Sequence, residues 1–324
     1  MNLKFNKERA IEICKKMISA YQTKKGIFSR KNIFPETRQE GMNDVDYAQF
    51  LFYSNILNYS TDARVLYRRL NELNFKLTTD NILSYDEKLT KLARTARFAN
   101  EARLRIRTAA RQLKEDYDGN PLNLISLDIK ETYKNIESIN GYGTKLARLL
   151  VIWYNKYGLS NYKENELEQA VDLHTFRMCL NTGIIKVKRD EKNRYPKDKS
   201  VIPLTDFFAD LCKENDFSGL ALDEAFWAIG SKVCTPAIRK RHDIPCKINC
   251  PIEKLCNKEI YVPVKYIPKK HSREAGRENI TRSSNHYVER VGKLKKDKTG
   301  VDGKYFTTNG KLNTEQEVFD LFKI

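Results

Sequence analysis

Apolar residues recur at intervals of three and four along most of this chain, the period of helices with one buried face. The first such run covers 7–21, where Ile11, Cys14, Met17 and Ile18 share a stripe. A polar stretch holding Gly26, Pro35 and Gly41 interrupts the pattern. An aromatic and aliphatic segment follows over 44–75, with Phe50, Leu51, Ile56 and Leu57 as expected core. Residues 88–117 read as one long helix in which Leu92, Ala96, Ala99, Ala102, Ile106, Ala109 and Leu113 alternate with Arg94, Arg97, Arg103, Arg105, Arg107 and Arg111. Gly119-Asn120-Pro121 ends it.

Two further amphipathic runs flank a four-residue turn. The first, 127–139, carries Ile129, Tyr133, Ile136 and Ile139 on one stripe, and Asp128 followed by Glu131 resembles a capping box. The second starts at Thr144 and repeats the stripe with Leu146, Leu149, Leu150 and Trp153. No internal repeat, βαβ alternation or series of strands is visible, so the body is expected to be all-α. The polar stretch 186–200 reads as a solvated loop. The tail beyond Tyr261 is polar and basic and closes on a helix-like 313–322.

A chain of 324 residues forms two domains or one elaborated domain. Its formal charge of +17 favours a polyanionic partner, since neutralising phosphates releases their condensed counterions. The first residues lack a signal-peptide core, and no apolar run approaches the ~20 residues that span a membrane. The expected location is therefore cytoplasmic or nucleoid-associated. Of seven cysteines, Cys234, Cys246, Cys250 and Cys256 crowd together, while Cys14, Cys179 and Cys212 lie apart as expected ordinary thiols.

Three constellations carry candidate chemistry. In Asn140-Gly141-Tyr142-Gly143-Thr144-Lys145, the glycines permit a tight turn with positive φ and let backbone amides approach a phosphate at a helix N-terminus. An ordinary αα-hairpin turn has the same signature. Asp172, in Ala170-Val171-Asp172-Leu173-His174, is either a functional carboxylate or a plain N-cap. The set Cys234-x11-Cys246-x3-Cys250-x5-Cys256 suits zinc or a 4Fe-4S cluster, and spacing alone does not separate them.

Taken together, these segments resemble the endonuclease III family of DNA glycosylases. The run Ile139 to Ala147 is similar to that family's helix-hairpin-helix, with Lys145 at the position of the nucleophile in bifunctional members. Ala170 to Arg177 resembles the segment bearing the catalytic aspartate, here Asp172. Asp172 follows Lys145 by 27 residues, a wider gap than in compact members, with the polar stretch 155–168 as the expected insertion. Phe226 to Val233 and Cys250-Pro251-Ile252-Glu253-Lys254-Leu255-Cys256 resemble the iron-sulfur loop, which favours a 4Fe-4S cluster over zinc. The first two gaps between the cysteines are wider than the family's usual ones.

Leu57 to Asp62 is similar to the segment that inserts a glutamine into the DNA stack. Tyr59 stands at that position, as a stacking side chain or a core tyrosine. Asn100-Glu101-Ala102 and Asp118-Gly119-Asn120-Pro121 extend the resemblance.

The resemblance implies a helix-hairpin-helix glycosylase fold of two helical domains with a cleft between them and a C-terminal iron-sulfur loop. One domain covers 44–157, with the hairpin at 139–147. The other joins 1–43 to 158–261, and 262–324 is a basic extension. The implied activity is excision of a damaged base, an oxidised pyrimidine being the usual substrate, coupled to abasic-site lyase chemistry through Lys145 and Asp172. Double-stranded DNA is the implied partner of a monomer. Asn140, Gly141, Tyr142, Gly143, Thr144, Tyr59, Lys232, Arg239, Lys240 and Lys247 are the expected DNA contacts, with Arg241 beside them. A glycosylase for a mismatched or enzymatically modified base, or a noncatalytic DNA-binding module, are the alternatives.

Overall fold

In the computed structural model the described residues are 3–28, 38, 41–57, 63–96, 99–187, 198–233, 250–256, 305–306 and 312–313. The chain forms two compact units, one of residues 36–170 and one joining 1–35 to 171–324. The N-terminal arm supplies β1 (Lys4–Phe5) and α1 (Lys7–Gln22) to the terminal unit. The 36–170 unit contains α2 (Asp44–Leu57), α3 (Ala63–Glu72), α4 (Thr79–Ser84), α5 (Asp86–Ala93), α6 (Ala99–Tyr117), α7 (Ile129–Ser138) and α8 (Thr144–Lys156). The chain then returns to the terminal unit with α9 (Leu173–Thr182), β2 (Ile185–Lys186), α10 (Asp198–Asn215) and α11 (Gly219–Ala228). A π-turn at Ile229–Val233 and a 3-10 turn at Glu253–Leu255 complete it, and β3 (Tyr305–Phe306) pairs with β4 (Leu312–Asn313).

The all-helical architecture agrees with the periodicity. Among the described residues strands occur only as two-residue pairs, such as β1 with β2, where Phe5 faces Ile185. No helix among them is long and apolar enough to cross a membrane.

In the 36–170 unit α2 is apolar on nearly every face and is buried accordingly. Tyrosines around it bury their rings and direct their hydroxyls to fixed acceptors. Tyr142 donates to the Phe52 carbonyl at 2.7 Å and Tyr154 to the Ala48 carbonyl at 3.1 Å. Burial pushes both phenols well above their ordinary range, so both remain donors. The buried amide of Gln49 is satisfied at both ends, accepting from the Thr79 amide and donating to the Gly119 carbonyl, each at 2.9 Å.

The run expected as one helix over 88–117 is two helices. Thr95 and Ala96 close α5 with turn bonds, the Thr95 hydroxyl reaching the Leu92 carbonyl at 2.8 Å and the Ala96 amide the Ala93 carbonyl at 2.9 Å. The capping box at α7 is not formed reciprocally. Asp128 caps the Lys130 amide at 2.9 Å, while the Glu131 carboxylate takes the Ser126 hydroxyl.

Residues 158–170, assigned from sequence to the other domain, bond within this unit instead. The Tyr162 amide donates to Asn155 Oδ1 at 2.7 Å, and the Tyr162 hydroxyl to the Ser126 carbonyl at 2.5 Å.

The terminal unit packs α1 against α9, α10 and α11 around Ile13, Met17, Phe176, Phe208 and Phe226. Cys14, Cys179 and Cys212 lie in this core as buried thiols, raised by burial, Cys212 to about 12. Thiols held protonated in this way are structural rather than reactive. The expected loop 186–200 is shorter than its polarity suggests, because α10 already begins at Asp198. The helix-like tail segment after Asn313 lies outside the described residues, and Asn313 itself belongs to β4.

Candidate functional site

The turn between α7 and α8 is fixed from two sides. From α6, Gln112 accepts the Asn140 amide and donates to the Ser138 carbonyl, both at 3.0 Å. From α2, Asn55 donates to the Leu146 carbonyl at 2.9 Å, and the Tyr142 ring lies 4.8 Å from that of Phe52. Tyr142 is therefore a core anchor of the turn. Its side chain is 7 % exposed and its hydroxyl is bonded within the protein.

The two glycines serve different ends. Gly141 has φ of +96°, which side chains rarely adopt. Gly143 does not share that conformation. It is extended at φ −119°, ψ 178°, acts as N-cap of α8, and has nothing within 4 Å of where a Cβ would stand. Helices α1, α4, α7, α9 and α11 receive side-chain caps from Asn6, Thr78, Asp128, Asp172 and Ser218, whereas α5 and α8 have none.

Its first intrahelical bond is that of the Ala147 amide to the Gly143 carbonyl, 3.0 Å long. The amides ahead of it have no acceptor within the helix and carry the positive end of its dipole. Asn140 and Gly143 are exposed there, and Thr144 and Lys145 are half-buried in the first turn. The arrangement can hold an anion and present an amine beside it.

One turn along α8, Arg148 pairs with Glu137 and, at 2.9 Å, with Glu168. Its guanidinium also lies 4.5 Å from the centre of the Tyr133 ring. Glu168 is held further by its own amide, which donates to the Tyr133 hydroxyl at 2.9 Å. The segment 167–170 is thereby pinned to the face of α8 that carries Lys145, since positions three apart share a face.

Nothing in the local sequence around the hairpin announces this triad. The arginines of α6 are partly neutralised: Arg103 and Arg107 both pair with Asp86, and Arg105 with Glu101.

In the terminal unit, Asp172 is the N-cap of α9, with Oδ1 accepting from the amides of His174 at 2.7 Å and Thr175 at 2.9 Å. Buried Arg177 donates through Nη2 to the Gly230 carbonyl at 2.7 Å, and the same Nη2 lies 2.9 Å from His174 Nδ1. His174 Nδ1 lies 2.9 Å from the Gly230 carbonyl as well, so both side chains close on that oxygen. Gly230 could not carry a side chain, because a Cβ there would lie 2.7 Å from that of His174. The start of α9 is thus locked to the π-turn that leads toward the cysteine-rich segment.

That segment's described part, 250–256, returns to the same helix. Cys256 Sγ lies 3.5 Å from the Asn181 carbonyl, and Arg9 of α1 donates to the Leu255 carbonyl. Cys250 and Cys256 are half-buried on either side of the turn. Cys234, Cys246, Tyr59, Arg239, Lys240, Arg241 and Lys247 lie outside the described residues, as does the side chain of Lys232.

No protein-family model matches the chain, and no curated protein matches it. Solved structures do. A thermostable thymine-DNA glycosylase aligns with a TM-score of 0.51 at 15 % identity, covering 78 % of this chain and 96 % of its own. The endonuclease III of a non-covalent complex with DNA aligns at 0.50 and 17 % identity, covering 79 % and 97 %. The chain has the helical fold of these proteins.

Proposed function

We propose that this chain is a DNA base-excision glycosylase with abasic-site lyase activity, of the helix-hairpin-helix type found in the endonuclease III family. The observation that carries the reading is the N-terminus of α8, which no side chain caps and which holds Lys145 in its first turn. A hairpin made only to connect two helices needs neither feature. The likeness of fold to DNA glycosylases supports the same reading. The substrate is duplex DNA carrying an oxidised pyrimidine, bound by a monomer.

In this reading the target nucleotide is extruded from the stack, at a cost of a few kcal/mol that damage lowers. The amides of α8 and exposed Asn140 hold phosphate oxygens. Lys145 Nζ forms a bond to the sugar C1′ while the bond from C1′ to the base breaks, and the base leaves with that electron pair and is protonated. Asp172 accepts the proton that Nζ gives up and stabilises positive charge developing on the sugar. Ring opening yields a Schiff base with Lys145. Loss of the C2′ proton then expels the 3′ phosphate and cuts the strand. Borohydride trapping on abasic DNA, with wild type beside Lys145→Gln, tests the assignment.

The cysteines fit a 4Fe-4S cluster as a donor set. Cys250 and Cys256 are half-buried beside a short turn, in contrast to the three core thiols. Cys234, Cys246, Cys250 and Cys256 would hold the cluster, and it would supply four bonds that fix a loop bearing Lys232, Arg239, Lys240 and Lys247 near phosphate. Purified protein is expected to contain about four iron atoms per chain. An active, folded protein with zinc or no metal in elemental analysis would overturn this assignment.

The hairpin glycines give a paired test. Gly141→Ala is expected to destabilise the fold by about 1–3 kcal/mol through its positive φ. Gly143→Ala is expected to leave urea unfolding nearly unchanged, since a Cβ there meets open space. It should weaken DNA binding by crowding the phosphate at the helix end. Equal DNA affinity for Gly143→Ala and wild type in a fluorescence titration would remove the phosphate from that position.

The likeness to a thymine-DNA glycosylase supports a second reading, removal of a mismatched base. Competing duplexes, one with an oxidised pyrimidine and one with a mismatched thymine, separate the two.

A further inference from the structure

We propose that Gln169 reads the hydrogen-bonding edge of the base to be excised, and that this edge is an imide, an N–H flanked by carbonyl oxygens. The inference rests on the glycosylase reading above. Gln169 is 1 % exposed, yet neither Nε2 nor Oε1 has a hydrogen-bond partner among the described residues. The contrast within the same unit is Gln49, a buried amide whose two ends are both closed by backbone groups. A buried amide left open at both ends opposes folding, because it gives up water and receives nothing in return. Such a group is explained when a ligand completes it.

Its position says which ligand. Gln169 follows Glu168, whose carboxylate meets Arg148 at 2.9 Å and whose amide meets the Tyr133 hydroxyl at 2.9 Å. Arg148 lies three residues after Lys145 in α8, so the open amide belongs to a segment pinned through Glu168 to the face that bears the proposed nucleophile. In the sequence it stands three residues ahead of Asp172.

A primary amide offers a donor and an acceptor side by side. Its complement is an edge with an acceptor next to a donor. Uracil- and thymine-derived bases keep this edge, N3–H beside O2 and O4, when oxidation or reduction saturates their 5,6 bond.

The test uses the full-length protein as purified, on duplexes carrying 5,6-dihydrothymine, its N3-methyl derivative, or an abasic site. Excision is read by hot-alkali cleavage and lyase chemistry by borohydride trapping. Gln169→Met keeps the length of the side chain and removes both polar atoms. Wild type is expected to excise dihydrothymine and to be slowed about 100-fold by N3 methylation. Gln169→Met is expected to lose about 100-fold on dihydrothymine and to stop discriminating the methyl derivative. Its abasic-site trapping should be unchanged and its Tm equal to or above that of wild type.

Wild-type excision by Gln169→Met overturns the inference. So does a parallel loss of excision, trapping and Tm, which makes the amide structural. A wild type that traps abasic DNA but leaves dihydrothymine intact overturns it while sparing the lyase assignment. A wild type inactive on all three duplexes refutes the glycosylase reading itself.

Discussion

Lys145→Gln is expected to abolish the covalent adduct that borohydride captures between the protein and abasic DNA, and with it strand cleavage. Glutamine matches lysine closely in helix propensity and is nearly as long, so α8 and its turn should form as before. The hairpin does not depend on the lysine, since Gln112, Asn55 and Tyr142 hold it from α6 and α2. What disappears is the amine that bonds to C1′. Loss of a nucleophile costs on the order of 10⁴-fold or more in turnover, far beyond the effect of one fewer cation on binding.

The two effects can be separated by titrating DNA at several salt concentrations. Removing one phosphate-facing charge lowers the slope of log K against log salt by about one and leaves the fold of the complex intact. An adduct that persists in Lys145→Gln would move the chemistry to another amine. A wild type that binds DNA and never forms the adduct would make this a monofunctional glycosylase or a binding module.

The helical body was legible because an amphipathic period survives in most of its elements. Helix α1 follows its stripe of Ile11, Cys14, Met17 and Ile18 to within a residue or so at each end, with Asn6 as its cap. The break between α5 and α6 was not legible. Arginine and alanine there suit a helix at every position, and the stop comes from the Thr95 hydroxyl and turn bonds rather than from glycine or proline.

At α10 the opposite happened. Charge and Pro203 hid a helix whose buried positions, Leu204, Phe208, Leu211 and Cys212, keep helical spacing. The hairpin itself was readable, but Tyr142 was not, because an aromatic between two glycines looks the same whether it stacks outward or packs inward on Phe52. Residues joined across long sequence separations left no local signal. Arg148 with Glu168 and Gly230 against His174 are of this kind.

Asp172 shows how a structural role and a catalytic one share a carboxylate, and how to test them apart. The N-cap is real: Oδ1 receives two amides at the start of α9. A cap alone, however, places no demand on charge. Asparagine is as good an N-cap as aspartate, so Asp172→Asn is expected to fold like wild type, giving up at most about 1 kcal/mol of interaction with the helix dipole. As a base and a counter-charge it should fail, lowering base-excision turnover by about 10²- to 10⁴-fold while DNA affinity changes little.

Asp172→Ala removes the cap as well, and about 0.5–2 kcal/mol of additional stability should be lost in urea unfolding. The pair of variants therefore separates the roles. If Asp172→Asn turns over substrate like wild type while Asp172→Ala is merely less stable, Asp172 is a cap and nothing more. If both lose turnover and only the alanine variant loses stability, the charge at this position does the chemistry, and Arg177, through His174 and the Gly230 carbonyl, serves to hold the helix that carries it.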